Sequence, residues 1–254
     1  MAEALSQAVI MPRVWPVWTR RIVHPRPLDG EIELSWLSQA LEGEATLAIW
    51  EGEQGLVAPL SYRRHAQLQQ AMNRSASEGW PVRLRRSGGG VVPQGEGILN
   101  VSLAFPCQDA PGDIAEVLYR EFCQALARPL QAMGIRTDAQ SVSGSFCDGR
   151  FNLAALDHAT GVYRKVAGTA QYWRRANGRQ AVLLHALVVA EADPRFLTAV
   201  ANRFESSLES GRRYQAASLI NIATLLGNEF ACREPSSSIN QWLTNGLLAS
   251  FSND

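Results

Sequence analysis

RRSGGGVVPQGEGILN, residues 85–100, carries a pair of arginines straight into three consecutive glycines and then into a second alternating stretch. Upstream, VRLRR (82–86) has the period of a half-buried strand. Downstream, ILNVSLAF (98–105) alternates again, with Asn100 and Ser102 on one face, the pattern of a strand lining a cavity. Three glycines at a strand end leave backbone N–H groups open to a ligand, and the adjacent arginines can neutralise an anion. The same composition also makes a flexible hairpin connection, so two readings stand.

Working outward, the lead spaced by Pro12, Pro16, Pro25 and Pro27 predicts irregular chain over residues 1–28. From Asp29 a helix follows, with Ile32, Trp36 and Leu37 at helical spacing until Gly43. TLAIWEG (46–52) reads as a strand, and Tyr62 to about Ser77 as one polar helix. Beyond the glycines, Asp113 is expected to cap a long helix whose Ile114, Leu118, Phe122, Leu126, Leu130 and Met133 form one stripe closed by Gly134, with Pro129 kinking its last turn. FNLAAL (151–156), the turn DHATG and VYRKVAG (162–168) read as a hairpin, and AVLLHALVVA (181–190) as a strand buried on both faces. Helices are expected from Pro194 to about Ser210, around Ala216 to Leu226, and over SINQWLTNGLLASF (238–251), after a Ser-rich stretch at 236–238. Strands and helices mixed without strict alternation predict an α+β fold, a mixed central β-sheet with flanking helices. One domain is expected over 1–254, with its core in 29–190 and a helical C-terminal part in 191–254.

Lysine plus arginine equals aspartate plus glutamate at 24 each, so no global field favours nucleic acid or an anionic membrane. MAEALSQAVIMPRVWP has acidic Glu3 and no basic n-region, unlike a signal peptide or a spanning helix. Cys107, Cys123, Cys147 and Cys232 are scattered and form no C-x-x-C pair, which argues against metal binding and a disulfide framework. A soluble, cytoplasmic protein is the expectation.

Lys165 lies in a strand of otherwise apolar or aromatic character, GVYRKVAGTAQYWRR, and is followed at once by Gly168. It is either a half-buried ammonium that needs a partner or an edge-strand guard. Counting from the turn near Ala159, it pairs with about Leu153, leaving Cys147 six residues, or roughly 20 Å, further along a straight strand. Asp148-Gly149 is a turn signal that folds the thiol back above the lysine. Cys147 is then a nucleophile activated by the nearby cation, or else a small buried hydrophobe. Cys107, Cys123 and Cys232 read as packing residues. His185 sits mid-strand as a hydrogen-bonded core histidine, while His24 and His158 have no partner in view. Trp15, Trp18 and Trp242 read as termini packed on the core.

RRSGGGVVPQGEGILN and, about 80 residues on, RKVAGTAQ together resemble the two signature blocks of the lipoate/biotin protein ligase family. SFCDGRFNL before RKVAGTAQ is most similar to the family's cysteine-dependent octanoyl- or lipoyl-transferring branch, above all the octanoyl-[glycine-cleavage H protein]:protein octanoyltransferases. The resemblance implies a class II aminoacyl-tRNA synthetase/biotin synthetase-like fold and an acyl group cradled by Arg86, Ser87, Gly88, Gly89 and Gly90. It implies Lys165 on the acyl carbonyl, Cys147 as the thioester-forming nucleophile, and Asn100, Gly168, Thr169 and Gln171 around them. The family's ligases carry tyrosine, histidine and aspartate after the glycines, where this chain has Pro93, Gln94 and Gly95, which sets it apart from their nucleotide chemistry.

No cofactor is then required and no metal site is expected. The implied partners are glycine-cleavage H protein, lipoyl domains of 2-oxoacid dehydrogenases and acyl carrier protein, docked through Arg85, Arg86, Arg174 and Arg175 or facing those arginines as an ordinary solvated surface. Two alternatives stay open: an ATP- and Mg-dependent lipoate ligase working through an acyl-adenylate, and a non-catalytic acyl-carrier-binding module.

Overall fold

The computed structural model describes residues 15–23, 29–227, 229–234 and 237–252. The opening stretch to residue 14, His24 with Pro25 and Pro27, and Ser236 lie outside them.

In chain order the elements are β1 (Arg20–Val23), α1 (Ile32–Leu41), β2 (Thr46–Glu51), β3 (Gly55–Pro59), a 3-10 turn (Leu60–Arg64), α2 (Leu68–Ser77), β4 (Val82–Arg85), β5 (Val92–Gln94) and β6 (Ile98–Pro106). There follow α3 (Pro111–Ala132), β7 (Thr137–Gln140), β8 (Asn152–Asp157), β9 (Val162–Ala176), β10 (Arg179–Val189), α4 (Pro194–Ser207), a 3-10 turn (Ala216–Ser218), α5 (Ile222–Leu226), α6 (Glu229–Arg233) and α7 (Ile239–Ser250). Seven strands form a mixed sheet in the order β1-β2-β6-β10-β9-β8-β7, parallel only between β1 and β2. A smaller sheet, β4-β3-β5, stands apart from it.

The large sheet is covered on both faces because β10 is apolar on both, as its unbroken run demands. Val182, Leu184, Ala186 and Val188 join a core with Leu118, Phe122 and Leu130 of α3 and Leu243 and Leu247 of α7. Trp36, Leu37 and Ala40 of α1 pack on Ala48, Ala104 and Leu183. A further core joins the small sheet to α4, where Leu197, Val200 and Phe204 meet Leu187 and Val189.

The observed α+β architecture, with its mixed central sheet and flanking helices, agrees with the sequence; five local expectations change. Arg20–Val23 is a strand within the proline-spaced lead, its edge closed by hydrogen bonds from Thr19 and Arg20 N–H to Ala45 O. Tyr62 to Ser77 is not one helix: His65 takes extended backbone after the first turn, and that turn buries Tyr62 so that its hydroxyl reaches Glu205. The stretch 216–226 also breaks, because Leu219 forms a parallel bridge with Lys165 and Asn221 then restarts the helix by accepting the Thr224 N–H. Asp113 lies in the first turn of α3 rather than capping it, since the helix already begins at Pro111. Lys165 pairs with Ala154 instead of Leu153, because a bulge at Leu153/Ala154 shifts the register. No helix among the described residues is long and apolar enough to cross a membrane.

Candidate active site

A cavity of about 420 Å³ opens between the two sheets, within the ~300–1,000 Å³ typical of small-molecule sites. Leu183, His185, Leu187 and Val189 line it from β10 with the period-2 spacing of one strand face. Gly168, Thr169 and Gln171 border it from β9, Leu56 and Val57 from β3, and Arg85, Arg86, Ser87 and Gly88 from β4 and the glycine loop. Phe146, Cys147 and Lys165 meet it as well.

The chain folds back before β8, as Asp148-Gly149 predicts, and sets Cys147 on the cavity wall, half-buried. Cys147 has φ 48°, a left-handed conformation unusual for a residue with a Cβ. Its backbone is over-determined: Phe146 is buried beside it, and Lys165 Nζ donates to both the Phe146 and Cys147 carbonyls, the latter at 3.0 Å. Its sulfur accepts the Gly90 N–H at 2.9 Å and Arg85 Nη2–H at 3.3 Å. As a thiol it can instead donate to Gly90 O at 3.5 Å. The site therefore offers partners to both protonation states of the sulfur.

The cation touching the sulfur is thus Arg85, not Lys165. Arg85 Nη2 also donates to Gly88 O and Gly90 O, each at 2.8 Å, while Nη1 holds Val57 O at 2.7 Å. These bonds clamp the glycine loop around the thiol and turn Arg85 away from any docking surface. Arg86 is exposed at the rim. Arg174 and Arg175 lie nine and ten residues beyond Lys165 on β9, roughly 30 Å along a strand, with Arg174 Nη1 donating to Ser38 Oγ at 2.9 Å.

Lys165 is 4% exposed, and burial pulls its ammonium down from the usual 10.5 to about 8, partly opposed by Cys147 and Asp148. An amine in this range can hold or release a proton near neutral pH. Lys165 is also the only lysine in the chain. Gly168 gives it room, since a Cβ there would come within 2.9 Å of Nζ.

The remaining expected residues fall in distinct places. Thr169 Oγ1 donates to Phe151 O, and Gln171 Nε2 donates to Ala115 O at 2.8 Å while its oxygen takes the Trp173 indole N–H, so both border the cavity with their polar groups engaged. Asn100 is fully buried behind the wall, its amide exchanging two hydrogen bonds with Gln94 at 2.9 and 3.0 Å. Gln94 is the one of the pair that meets the cavity. His185 Nδ1 lies 2.5 Å from Glu33 Oε1, which also accepts from Ser102 Oγ, placing a polar pair on an otherwise apolar wall.

Residues 32–243 match the lipoyl protein ligase A/B catalytic domain. The chain belongs to this family. An uncharacterized protein of Cupriavidus necator is 43% identical over 208 residues, 79% of this chain and 81% of that one. The octanoyl-[GcvH]:protein N-octanoyltransferase of Kyrpidia tusciae is 30% identical over 232 residues, 85% of this chain and 75% of that one. Among solved structures, a lipoate-protein ligase A bound with ATP superposes with TM-score 0.63 at 18% identity, covering 92% of this chain and 84% of that one. A putative lipoate protein ligase of T. acidophilum with bound lipoic acid gives the same score and identity. The chain thus has the lipoyl ligase fold, and it is an enzyme-family member of the lipoate-ligase and octanoyltransferase group.

Glu33, Glu205 and Tyr214 carry no mark in the sequence that ties them to the site, and Gln94, between Pro93 and Gly95, stands out there only as a departure from the ligase pattern. Arg85 was visible beside the glycines, but its inward turn was not.

Proposed function

We propose that the protein transfers an octanoyl or lipoyl group from one carrier-protein lysine to another through a thioester on Cys147. The observation that carries this reading is the half-buried Cys147, its sulfur held between a backbone N–H and a guanidinium on the wall of an acyl-sized cavity, with a titratable amine behind it.

In the first half-reaction the thiolate attacks the acyl amide carbonyl, the C–S bond forms, the C–N bond breaks, and the ammonium of Lys165 gives its proton to the departing amine. In the second, the acceptor amine attacks the thioester, the C–N bond forms, the C–S bond breaks, and neutral Lys165 takes the proton. Amide is exchanged for amide, so the cycle closes without nucleotide. The chain's only lysine is buried, so the acceptor amine comes from another protein. Glycine-cleavage H protein is the donor suggested by the names of the octanoyltransferases to which the chain is similar, and lipoyl domains are the acceptors. Burying about six methylenes of an octanoyl tail is worth roughly 5 kcal/mol, enough for the cavity to supply much of the recognition.

Intact-protein mass spectrometry after incubation with octanoylated H protein tests the proposal. An added octanoyl mass, lost to hydroxylamine and absent in Cys147→Ser, is expected. ATP-dependent attachment of free lipoate that survives Cys147→Ser would overturn it in favour of a ligase, and carrier binding with no adduct would leave only a binding module.

A further inference from the structure

Behind the glycine loop, away from the cavity, lies a polar cluster that no step above uses. Glu205 of α4 is fully buried, and one of its carboxylate oxygens accepts both the Tyr62 hydroxyl at 2.5 Å and the Tyr214 hydroxyl at 2.7 Å. The other oxygen has no hydrogen-bond partner. Burial, reinforced by the bond to Glu205, pushes the Tyr62 phenol up to about 12 and the Tyr214 phenol up as well, so both remain donors. A buried carboxylate is costly unless donors and nearby charge offset it, here the two phenols and the Arg212 guanidinium, and in return it organises its partners.

What it organises is Tyr214. That residue's backbone is clamped from both sides by Asn202, whose side chain accepts the Tyr214 N–H at 2.7 Å and donates to its carbonyl at 2.9 Å. The hydroxyl bond to Glu205 and the two backbone bonds to Asn202 hold the residue at both ends. Its edge packs on Phe146, ring centres 5.1 Å apart at 70°, directly before Cys147 in the chain. The next residue, Gln215, donates its N–H to Gly144 O at 2.7 Å, pinning the same loop again. On the other side the hydroxyl sits so close to Gly90 that any Cβ there would collide with it, and Arg212 Nη1 would stand 3.2 Å from that Cβ.

Tyr214 therefore touches both chain segments that meet at the sulfur: the loop that carries Cys147 and the peptide whose N–H points at it. We infer that Tyr214, anchored on Glu205, is a positioning residue that sets the Gly90 N–H and the Cys147 sulfur in register. The inference rests on the reading of Cys147 as the nucleophile. Loss of the hydroxyl frees the Gly90 peptide to drift into the space it vacates, and the sulfur loses its 2.9 Å donor. The charged groups around Cys147 are Arg85 from β4, Lys165 from β9 and Asp148 on its own loop, while Arg212, beside Gly90, interacts with the Tyr214 hydroxyl itself.

The test is the second-order rate of Cys147 alkylation by iodoacetamide at fixed pH, read alongside kcat and KM for octanoylated H protein. Tyr214→Phe keeps the ring on Phe146 and removes only the hydroxyl; losing one hydrogen bond to the sulfur is expected to slow alkylation about tenfold. In the transfer assay kcat falls by a similar factor while KM changes by less than about twofold. Gly90→Ala approaches from the other side and slows alkylation for the same reason, its methyl displacing the hydroxyl. In the double variant the methyl has room where the hydroxyl was, so the two effects do not multiply. A purely structural role loosens the loop instead, exposes the thiol and speeds alkylation. Alkylation that is unchanged or faster in Tyr214→Phe, or effects that multiply in the double variant, overturn the inference. Alkylation needs no acyl donor, so slowed alkylation with no transfer in the native protein sinks the proposed function and leaves the positioning role standing.

Discussion

The Gly90 N–H points at the Cys147 sulfur from 2.9 Å, across 57 residues of chain, and Arg85 reaches the same sulfur from 3.3 Å. The glycine block and the cysteine thus form one structure. A backbone donor and a guanidinium hold the sulfur, while the buried amine of Lys165 holds the backbone beneath it. The two cations are thus divided in place, Arg85 on the sulfur and Lys165 on the backbone that carries it.

Arg85→Ala is expected to reduce both thiol reactivity and transfer. It removes the guanidinium from the sulfur and three bonds to Val57, Gly88 and Gly90 carbonyls, at about 2 kcal/mol or more, a rate loss of about 30-fold. Arg85→Lys keeps the charge but cannot serve four acceptors, and recovers little. Single-turnover thioester formation, followed by mass, reads both; native rates in Arg85→Ala would show that the sulfur needs no such partner.

The pH dependence of transfer follows Lys165. With its amine near 8, the transfer rate should fall as pH rises through that value, because the neutral amine no longer holds the proton that the leaving amine needs. Lys165→Arg carries a charge that does not titrate in this range, and its residual rate should lack this fall. Stability carries the same signature. The folded value lies below the unfolded 10.5, so the buried charge subtracts stability at every pH below about 8, and the penalty fades as pH rises toward 10.5. Between pH 7 and 10.5 the native chain should gain up to roughly 3 kcal/mol relative to Lys165→Met, measured by urea unfolding.

Gly89 has φ 105° and stands where any Cβ would collide with the Cys147 sulfur. Gly89→Ala is expected to displace the thiol, abolish thioester formation and lower stability by about 1–3 kcal/mol. Gly88→Ala, with nothing within 4 Å of the new methyl, should keep the alkylation rate of Cys147. Equal alkylation rates in the two variants would mean that the loop does not pack on the sulfur as described.

Away from the site, α7 approaches α3 at Gly246, where a Cβ would lie 2.9 Å from Pro129 Cβ and Cγ. Gly246→Ala overpacks that crossing and should cost about 1–3 kcal/mol in thermal unfolding, with alkylation of Cys147 unaffected. An unaltered melting temperature would show that the crossing can relax.

Much of this architecture was legible in the chain itself. The alternation of β6, the unbroken apolar run of β10 and the long stripe of α3 are local patterns, and each became the element it predicts. The strands that escaped notice are β1, β3, β5 and β7, of three to five residues, two of them containing proline; β1, β5 and β7 are edges and β3 is the short centre of the small sheet, and strands this short are held by their neighbours and leave little local mark. The broken helices at 60–77 and 216–226 follow from long-range demands, the burial of Tyr62 on Glu205 and the pairing of Leu219 with Lys165.

The glycine block, Cys147 and Lys165 could be singled out from sequence because each is chemically unusual in its surroundings and their order along the chain resembles a family. Which cation meets the sulfur could not, because distance along a chain says nothing about which way an arginine turns. Only the packing of β4 against the cysteine loop points Arg85 inward, and only the burial of Lys165 brings its amine near neutrality. Residue type sets what chemistry is available; the fold, by choosing what each group is desolvated against, decides which of them uses it.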